Sequence, residues 1–481
     1  MAVSYEVNRK YIPTIGIETH VQLKTKTKLF SAVGNDARQA APNSLISHID
    51  TAMPGALPVL NQAAIELACR TAFALNTKPQ KYSYFERKHY FYPDSPAGYQ
   101  ITQLHAPIII GGSVEISTEG QTRSINIHRV QLEADAGKTI HPAGADYSLV
   151  DLNRAGTPLL EIVSQPEIHS AAEAKAFARE LYLLMKYSNV SDVDLYHGNM
   201  RFDVNISVSQ DSSRPGKRAE VKNLNSFRSV ENAVNYEIQR QIELLEKGQP
   251  VEQETRGWDE AKQKTTSQRV KEEAHDYRYM PEPDIPPLEL DDDFINDIKD
   301  KMPILPSEIR TTLLRLNIVP KVVEDLLDNT TALNHLQTAI ENGAYDEAAR
   351  TIAFWALKYS EKLKGKDAMS ISNHLVKLAN MRIDNQLSSP AADEVLNYVL
   401  EELRDPELIA KEKNLIQVSD ESEIERIVVE VLDQNPKAAQ DIKNGETKAI
   451  GFLVGQVMAK SQGQANPQVA QAIIKKQLGM Q

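Results

Sequence analysis

Three segments of the chain alternate strictly between apolar and polar residues. Over residues 16–23, Ile17, Thr19, Val21 and Leu23 fall on one side of an extended strand, and Glu18, His20 and Gln22 fall on the other. Over 128–135, His128, Val130, Leu132 and Ala134 share a side opposite Arg129, Gln131, Glu133 and Asp135. Over 201–208, Phe202, Val204, Ile206 and Val208 oppose Arg201, Asp203, Asn205 and Ser207. The pattern predicts a sheet with one packed and one polar face, the usual arrangement of antiparallel strands. A helix interrupts the strand-rich part, where Val230, Val234, Ile238, Ile242 and Leu245 recur at helical spacing and Gly248 stops it.

The period changes after the Pro-rich, then acidic segment 279–294. The stretches 332–343, 349–365 and 391–405 lose strand alternation, are short of Gly and Pro, and carry apolar residues three and four apart. A second break falls at Asp405-Pro406. The expectation is an α+β fold, with an antiparallel-sheet domain over 1–292, an all-helical domain over 293–405 and a small helical tail over 406–481.

Composition narrows the class. A chain of 481 residues exceeds one ordinary core, and 41% hydrophobic with 25% charged residues is globular and soluble. The start has no apolar stretch resembling a secretory signal, and the apolar run 107–110 ends at Gly111-Gly112, far short of a membrane span. Cys69 has no second cysteine to pair with and reads as a small buried side chain of a helix. These features predict a cytoplasmic protein. The net charge of -12 excludes wholesale wrapping of nucleic acid but not a local basic patch. Residues 441–481 supply such a patch, with Lys443, Lys448, Lys460, Lys475 and Lys476 against Asp441 and Glu446. A solvated helix face would look the same.

The polar strand faces are unusual in kind. They supply carboxylates, an imidazole and amides with two arginines, rather than the Thr, Lys and Ser common on solvated sheets. Hard divalent cations prefer carboxylate oxygens, and nucleotide phosphates need such a cation together with Lys or Arg. Periodicity alone leaves both a solvated face and a metal–phosphate site open. Two loop-like segments add weight to the second reading. Residues 86–103 place Arg87, Lys88 and His89 among Tyr90, Tyr92 and Tyr99 around Pro93–Pro96, and 278–284 combine Arg278 with Glu282 and Asp284 in a Pro-framed loop.

With these segments in view the sequence resembles the GatB family, the B subunits of the tRNA-dependent aspartyl/glutamyl-tRNA(Asn/Gln) amidotransferases. The matching runs are GIETHVQL, KLFSA, MPGALPVLN, ERKHYFYPDSPAGYQITQ, QLEADAGKTIH, LVDLNRAGTPLLEIVSQPEI, MRFDVNISV, AEVKNLNSFRSVENA, DYRYMPEPDIPPL and KAIGFLVGQVMAKSQGQANPQV, in family order across nearly the whole chain. The stretch 295–430 resembles the family only loosely. The resemblance implies a glutamine-synthetase-like cradle domain followed by the helical and tail domains. It implies ATP and Mg²⁺ as cofactors, the amidotransferase A and C subunits as partners in a heterotrimer, and misacylated tRNA(Gln) or tRNA(Asn) as substrate, with no membrane association. In that family the B subunit phosphorylates the side-chain carboxylate, and ammonia from the A subunit displaces the phosphate. Carried onto this chain, the metal set is Glu18, His20, Glu133 and Asp203, with Glu220 in addition. Lys88 and Arg201 become phosphate contacts, and Asn205, Lys222 and Asn223 position nucleotide or substrate. The expected catalytic residues are Glu18, His20, Glu133 and Lys88.

Two departures stand out. Relatives often carry a cysteine pair before the MPG-like loop as half of a zinc site, whereas 44–55 here has none, so no zinc is expected and His48 reads as loop. The family's LEEDAGK reads LEADAGK here, with Ala134 in place of an acid. Two other readings are a non-catalytic tRNA-binding scaffold and a free-standing ligase acting on a small amino acid. The joint presence of the carboxylates and Lys88 argues against the first, and the basic tail against the second.

Overall fold

The structure is a computed structural model and describes residues 10–211, 213–270, 277–417, 421–443, 448–461 and 465–479. The chain divides into two compact units, Met1–Pro306 and Ser307–Gln481.

The first unit is built on a nine-stranded sheet. Its strands lie in the order Lys264–Val270, Glu254–Asp259, Ala219–Leu224, Met200–Ser209, Ile12–Gln22, Pro158–Ser164, Gln121–Ala134 and Ile109–Ile110, with Ser113–Thr118 also paired to Gln121–Ala134. All pairings are antiparallel except that between Ala219–Leu224 and Glu254–Asp259. The central strand Ile12–Gln22 alternates half-buried and buried along its whole length. Its inward side chains Ile15, Ile17 and Val21 join Leu132, Ile162, Phe202 and Val204 in one core. Helices Gln62–Ala74, Ala171–Tyr187 and Phe227–Glu246 cover that face with Ala68, Cys69, Phe177, Leu181, Val230 and Val234. Each large apolar side chain removed from water there contributes about 1.5–3 kcal/mol. Side-chain caps start all three helices: Asn61, Ser170 and Ser226 accept from the amides of Ala63, Glu173 and Ser229. Burial pushes the Cys69 thiol up to about 12, consistent with an inert core residue.

Two bulges alter the predicted faces. Gln121–Ala134 pairs with Pro158–Ser164 as Arg129↔Val163 but Ile127↔Ser164. The extra residue breaks the alternation, so Ile127 and Val130 both enter the core and His128 is exposed. His128 therefore does not share the buried side with Val130, as unbroken alternation would require. The second bulge lies between Met200–Ser209 and Ala219–Leu224, where Lys222 and Asn223 together oppose Asp203 and Asn223 takes a positive φ of 58°.

A small three-stranded sheet, Tyr279–Pro281, Glu86–His89 and Tyr99–Thr102, stands over the polar face. Helix Asp292–Asp300, beyond the Pro-rich segment, packs against Gln62–Ala74, and Ile298 belongs to the same core.

The second unit is helical. Helix Pro406–Glu412 packs on Ala368–Ile383 and Ser389–Glu402, and the Gln417 amide donates to Gln386 O. A separate cluster around Ile424, Val428, Leu453, Val457 and Ile474 joins the last helices, Glu421–Gln434, Pro436–Lys443, Lys448–Lys460 and Pro467–Gln477. Gly451 and Gly455 are exposed, and an added Cβ would meet nothing within 4 Å at either. They form an open strip beside the half-exposed Phe452 rather than a close helix contact.

Candidate functional site

Antiparallel register brings the polar residues of neighbouring strands side by side. Glu18 stands opposite Asp203, and His20 stands between Glu161 and Arg201. Glu133 lies one strand further out, opposite Leu159. Two groups of atoms able to serve as metal ligands result, the atoms of each lying within 4.8 Å of one another: Glu18, His20 and Asp203, and His20, Glu133 and Glu161. His20 belongs to both.

These residues form the floor of a cavity of about 510 Å³. Its walls include Glu18, His20, Lys88, Glu133, Glu161, Arg201, Glu220 and Lys222. Asp203 is buried beside them and is fixed from the bulge: the Asn223 amide donates to its Oδ1 at 2.8 Å, and Lys222 Nζ lies 3.4 Å from its Oδ2. Lys222 also sits 3.0 Å from Glu220 Oε1, while Thr255 donates to Glu220 Oε2 at 3.2 Å. Thr102 donates to Glu133 at 3.1 Å and accepts from Gln131 at 3.1 Å. Lys88 arrives from the small sheet with its Nζ 4.9 Å above the Tyr277 ring.

The charges are crowded and partly desolvated. Burial, reinforced by Glu161 and Asp203, pushes Glu18 up to about 8. Burial and the neighbouring Glu133 push Glu161 up to about 8. Burial pushes Glu133 up to about 7 against the attraction of Lys88. Burial pulls His20 down to about 4, so its ring is neutral at pH 7 and available as a ligand. For both lysines burial pulls the ammonium down and nearby carboxylates more than offset it, chiefly Glu133 at Lys88 and Asp203 and Glu220 at Lys222. Buried, mutually crowded carboxyls that hold protons near neutrality, around a neutral imidazole, fit a hard divalent cation. A set rich in oxygen with a single nitrogen suits Mg²⁺ better than zinc.

Of the residues expected from sequence, Glu18, His20, Lys88, Glu133, Arg201, Glu220 and Lys222 line this one cavity, with Asp203 beside it. Asn205 and Asn223 are not among its lining residues. Asn205 stands next to Glu220 in register, and Asn223 serves through its backbone. Glu161 is a site residue that the sequence pattern does not single out. Its strand reads as a continuous apolar run, and the one available signal is a lone acid at the parity of Leu159 and Val163. Asp135, Arg218 and Tyr277 also line the cavity. Asp135 Oδ2 lies 3.4 Å from Arg154 and 3.6 Å from Arg201. The 278–284 loop acts as a structural brace. Buried Glu282 holds Arg87 through bonds of 2.7 and 2.9 Å, Asp284 adds a third at 3.1 Å, and Arg87 stacks 4.5 Å over Tyr99.

Known proteins resemble this chain along nearly its whole length. Residues 13–296 match the family described as the GatB/GatE catalytic domain, and 334–478 match the GatB domain. Similar proteins include the B subunit of the aspartyl/glutamyl-tRNA(Asn/Gln) amidotransferase of Caldicellulosiruptor saccharolyticus, 40% identical over 98% of this chain and 99% of that one. Those of Thermotoga petrophila (41% identical; 98% and 99% covered) and Persephonella marina (40%; 98% and 100%) carry the same description. The chain belongs to the GatB family. Within the GatB catalytic region the cysteine-free segment 44–55 is held by Lys28, fully buried, whose Nζ donates to Leu45 O at 2.7 Å and lies 3.6 Å from Asp50 Oδ1. Asp50 also accepts from Ser31 and Ser47.

The crowded carboxyls predict a pH effect. Glu18, Glu133 and Glu161 have folded pKa values raised from 4.5 to about 7–8, so the folded state binds more protons than the unfolded one and stability falls as pH rises through that range. His20, lowered from 6.5 to about 4, acts in the opposite sense below 6.5. In the window from pH 6.5 to 8 the carboxyls act alone. Calorimetry in chelator should give a Tm that declines across this window, and Glu161→Gln should flatten the decline. A flat wild-type profile would contradict these assignments.

Proposed function

We propose that this chain is the ATP-using, tRNA-handling subunit of an amidotransferase that converts the side-chain carboxylate of Glu-tRNA(Gln), Asp-tRNA(Asn) or both to the amide. The observation that carries the reading is the pairing, in one cavity, of two ligand groups sharing His20 with four cations, Lys88, Arg201, Arg218 and Lys222. The names borne by relatives matching along their whole length support it.

The chemistry explains the need for both charges. A carboxylate resists attack by ammonia because oxide would have to leave. Attack of a carboxylate oxygen on the γ-phosphorus of ATP breaks its bond to the β,γ-bridging oxygen, releases ADP and gives an acyl phosphate. The nitrogen lone pair then attacks the acyl carbon, the C–O bond to phosphate breaks with its electron pair, and the nitrogen loses a proton. Glu18, His20, Glu133, Glu161 and Asp203 would hold Mg²⁺, which supplies charge neutralisation for the phosphates when bound. Lys88, Arg201, Arg218 and Lys222 would hold the phosphoryl oxygens in place and offset the charge that grows on them. Thr102 and Gln131 fix Glu133, and the bulge at Asn223 fixes Asp203, so neither must reorganise during transfer. Asn205 and Asn223 would act at most on the outer parts of nucleotide or substrate.

The remaining assignments follow the same reading. Ammonia comes from a glutamine-hydrolysing A subunit, and a C subunit joins the two. Residues 1–292 act as the catalytic cradle, 293–405 as the helical domain and 406–481 as the RNA-binding tail. No helix among the described residues is long and apolar enough to cross a membrane, and we place the work in the cytoplasm. In the tail Lys475 and Lys476 occupy the last turn of Pro467–Gln477, whereas Lys460 lies 2.6 Å from Glu430. The side chains of Lys443 and Lys448 lie outside the described residues.

Two experiments test this reading. Changing Glu18, His20, Glu133, Glu161 or Asp203 to Ala in the assembled complex should lower ATP- and tRNA-dependent amide formation by about 100-fold or more while glutamine hydrolysis by the partner persists. Near-normal activity of Glu133→Ala would remove it from the site. Truncation after Gln417 keeps helix Pro406–Glu412 on its bundle and removes the tail cluster. It should raise the apparent KM for tRNA about 10-fold or more, and the difference should shrink at high salt because phosphate contacts release counterions. Unchanged tRNA binding at physiological salt would exclude the tail as an anchor.

A further inference from the structure

The reaction cavity reaches the outer margin of the main sheet. There the strand Glu254–Asp259 runs parallel to Ala219–Leu224, with Thr255 opposite Glu220, and carries the last strand, Lys264–Val270, along its other side. Alternation turns Thr255 to the cavity, which it lines together with Gln253. The same alternation turns Glu254 and Arg256 to the side covered by helix Phe227–Glu246, where they meet Arg240 and Glu237.

Charges are buried on that covered side. Glu237 is fully buried and accepts from Arg240 Nε at 3.0 and 3.1 Å, from Gln241 at 3.0 Å and from Thr265 at 3.1 Å. Arg256 Nε lies 3.4 Å from the same carboxylate. Arg256 also donates to the hydroxyl and carbonyl oxygens of Thr265, at 2.8 and 3.0 Å, and to Glu254. The Glu254 carboxylate in turn lies 3.5 Å from Arg240. Two acids and two guanidiniums thus compensate one another beneath the outermost strands. Burying such groups is costly, and apolar side chains of similar size would hold helix and strands together at least as firmly. What the ion network adds is direction. An apolar contact tolerates a slip of one residue, and that slip would turn Thr255 away from the cavity; paired charges and their hydrogen bonds do not tolerate it.

We propose that Glu237 and Arg256 are positioning residues for the reaction, which act through Thr255. They fix the outer strand in the register that presents the Thr255 hydroxyl to Glu220. That hydroxyl donates to Glu220 Oε2 at 3.2 Å, Glu220 Oε1 lies 3.0 Å from Lys222 Nζ, and Lys222 Nζ lies 3.4 Å from Asp203 Oδ2. Without the hydroxyl Glu220 is free to rotate, and Lys222, held by it, loses its place as a phosphate contact. The inference rests on the amidotransferase reading for the identity of the phosphate and adds to it a relay from the far face of the sheet. Neither Glu237 nor Arg256 is among the residues that line the cavity, so any effect they have on nucleotide must pass through the strand.

The test uses the assembled complex. Thr255→Val removes only the hydroxyl and should raise the KM for Mg-ATP about 5-fold or more, the loss expected of one hydrogen bond of ordinary strength, with the KM for aminoacyl-tRNA unchanged. Thr255→Ser keeps the hydroxyl and should stay within about 2-fold of the wild type. Arg256→Lys keeps the charge but not the fork, and Glu237→Gln keeps the shape but not the charge; each should raise the same KM. The double variant Thr255→Val with Arg256→Lys should be no worse than the worse single one, because both changes break one relay. Titration calorimetry with Mg-ADP should show the same order of affinities without tRNA or turnover. A lowered Tm with unchanged nucleotide affinity in Arg256→Lys and Glu237→Gln would reduce the network to a structural brace and overturn the proposal. Losses that multiply in the double variant, or an unaffected Thr255→Val, would overturn it as well. If the wild-type complex binds Mg-ADP but forms no amide, the amidotransferase reading fails, while the calorimetric series still decides the positioning.

Discussion

Three carboxyls, Glu18, Glu133 and Glu161, are buried together on the floor of one cavity, and that burial, reinforced by their mutual repulsion, sets the rest of the site. Strand register fixes them: Glu161 lies across His20, and Glu18 across Asp203, so the side chains cannot move apart without disrupting the central pairings of the sheet. Left as they are, the carboxyls hold protons near neutrality, with Glu18 and Glu161 pushed up to about 8. In the proposed reading a divalent cation would replace those protons. The floor also needs positive charge from above, which Lys88 brings on the small sheet and Lys222 brings from the bulge.

The supports of this arrangement are mostly polar contacts away from the floor. Lys88 is aimed by the strand that also carries Arg87, and the bidentate Arg87–Glu282 pair ties that strand to the segment bearing Tyr279. Glu282 is buried, so removing either partner would strand a desolvated charge. The buried Lys28–Asp50 pair anchors segment 44–55, and Gly156 at φ 81° leaves room for it: a Cβ there would stand 2.7 Å from Asp50 Oδ1.

Much of the fold and part of the site were legible in the sequence, for a physical reason. A strand with one face against a core must alternate, so Ile17 to Leu23 and Phe202 to Val208 announced both their structure and the direction of Glu18, His20 and Asp203. The same rule failed where the backbone departs from a two-residue repeat. The bulge at His128 reverses parity for the first half of its strand, and the bulge at Asn223 makes a residue expected to position nucleotide or substrate a backbone donor to Asp203. Glu161 was hidden for another reason. Its neighbours on the polar side, Leu159 and Val163, are apolar, so the strand shows no alternation. Glu282 and Asp284 looked like site residues because carboxylates framed by proline suggest a binding loop. Only the fold reveals that they hold Arg87. Loop adjacency depends on contacts such as that between Asn43 and Val150, 107 positions apart, and leaves no periodic trace.

If the cavity activates a side-chain carboxylate by phosphorylation, as proposed, one of its oxygens must leave with phosphorus. The most direct measurement follows oxygen. Glutamyl-tRNA whose side-chain carboxylate carries oxygen-18 is converted by the full complex with ATP and glutamine, and the phosphate released is analysed by mass spectrometry. One labelled oxygen should appear in phosphate for each amide formed, because the oxygen lost from the carboxylate leaves attached to phosphorus. Amide formation with unlabelled phosphate would contradict the proposal.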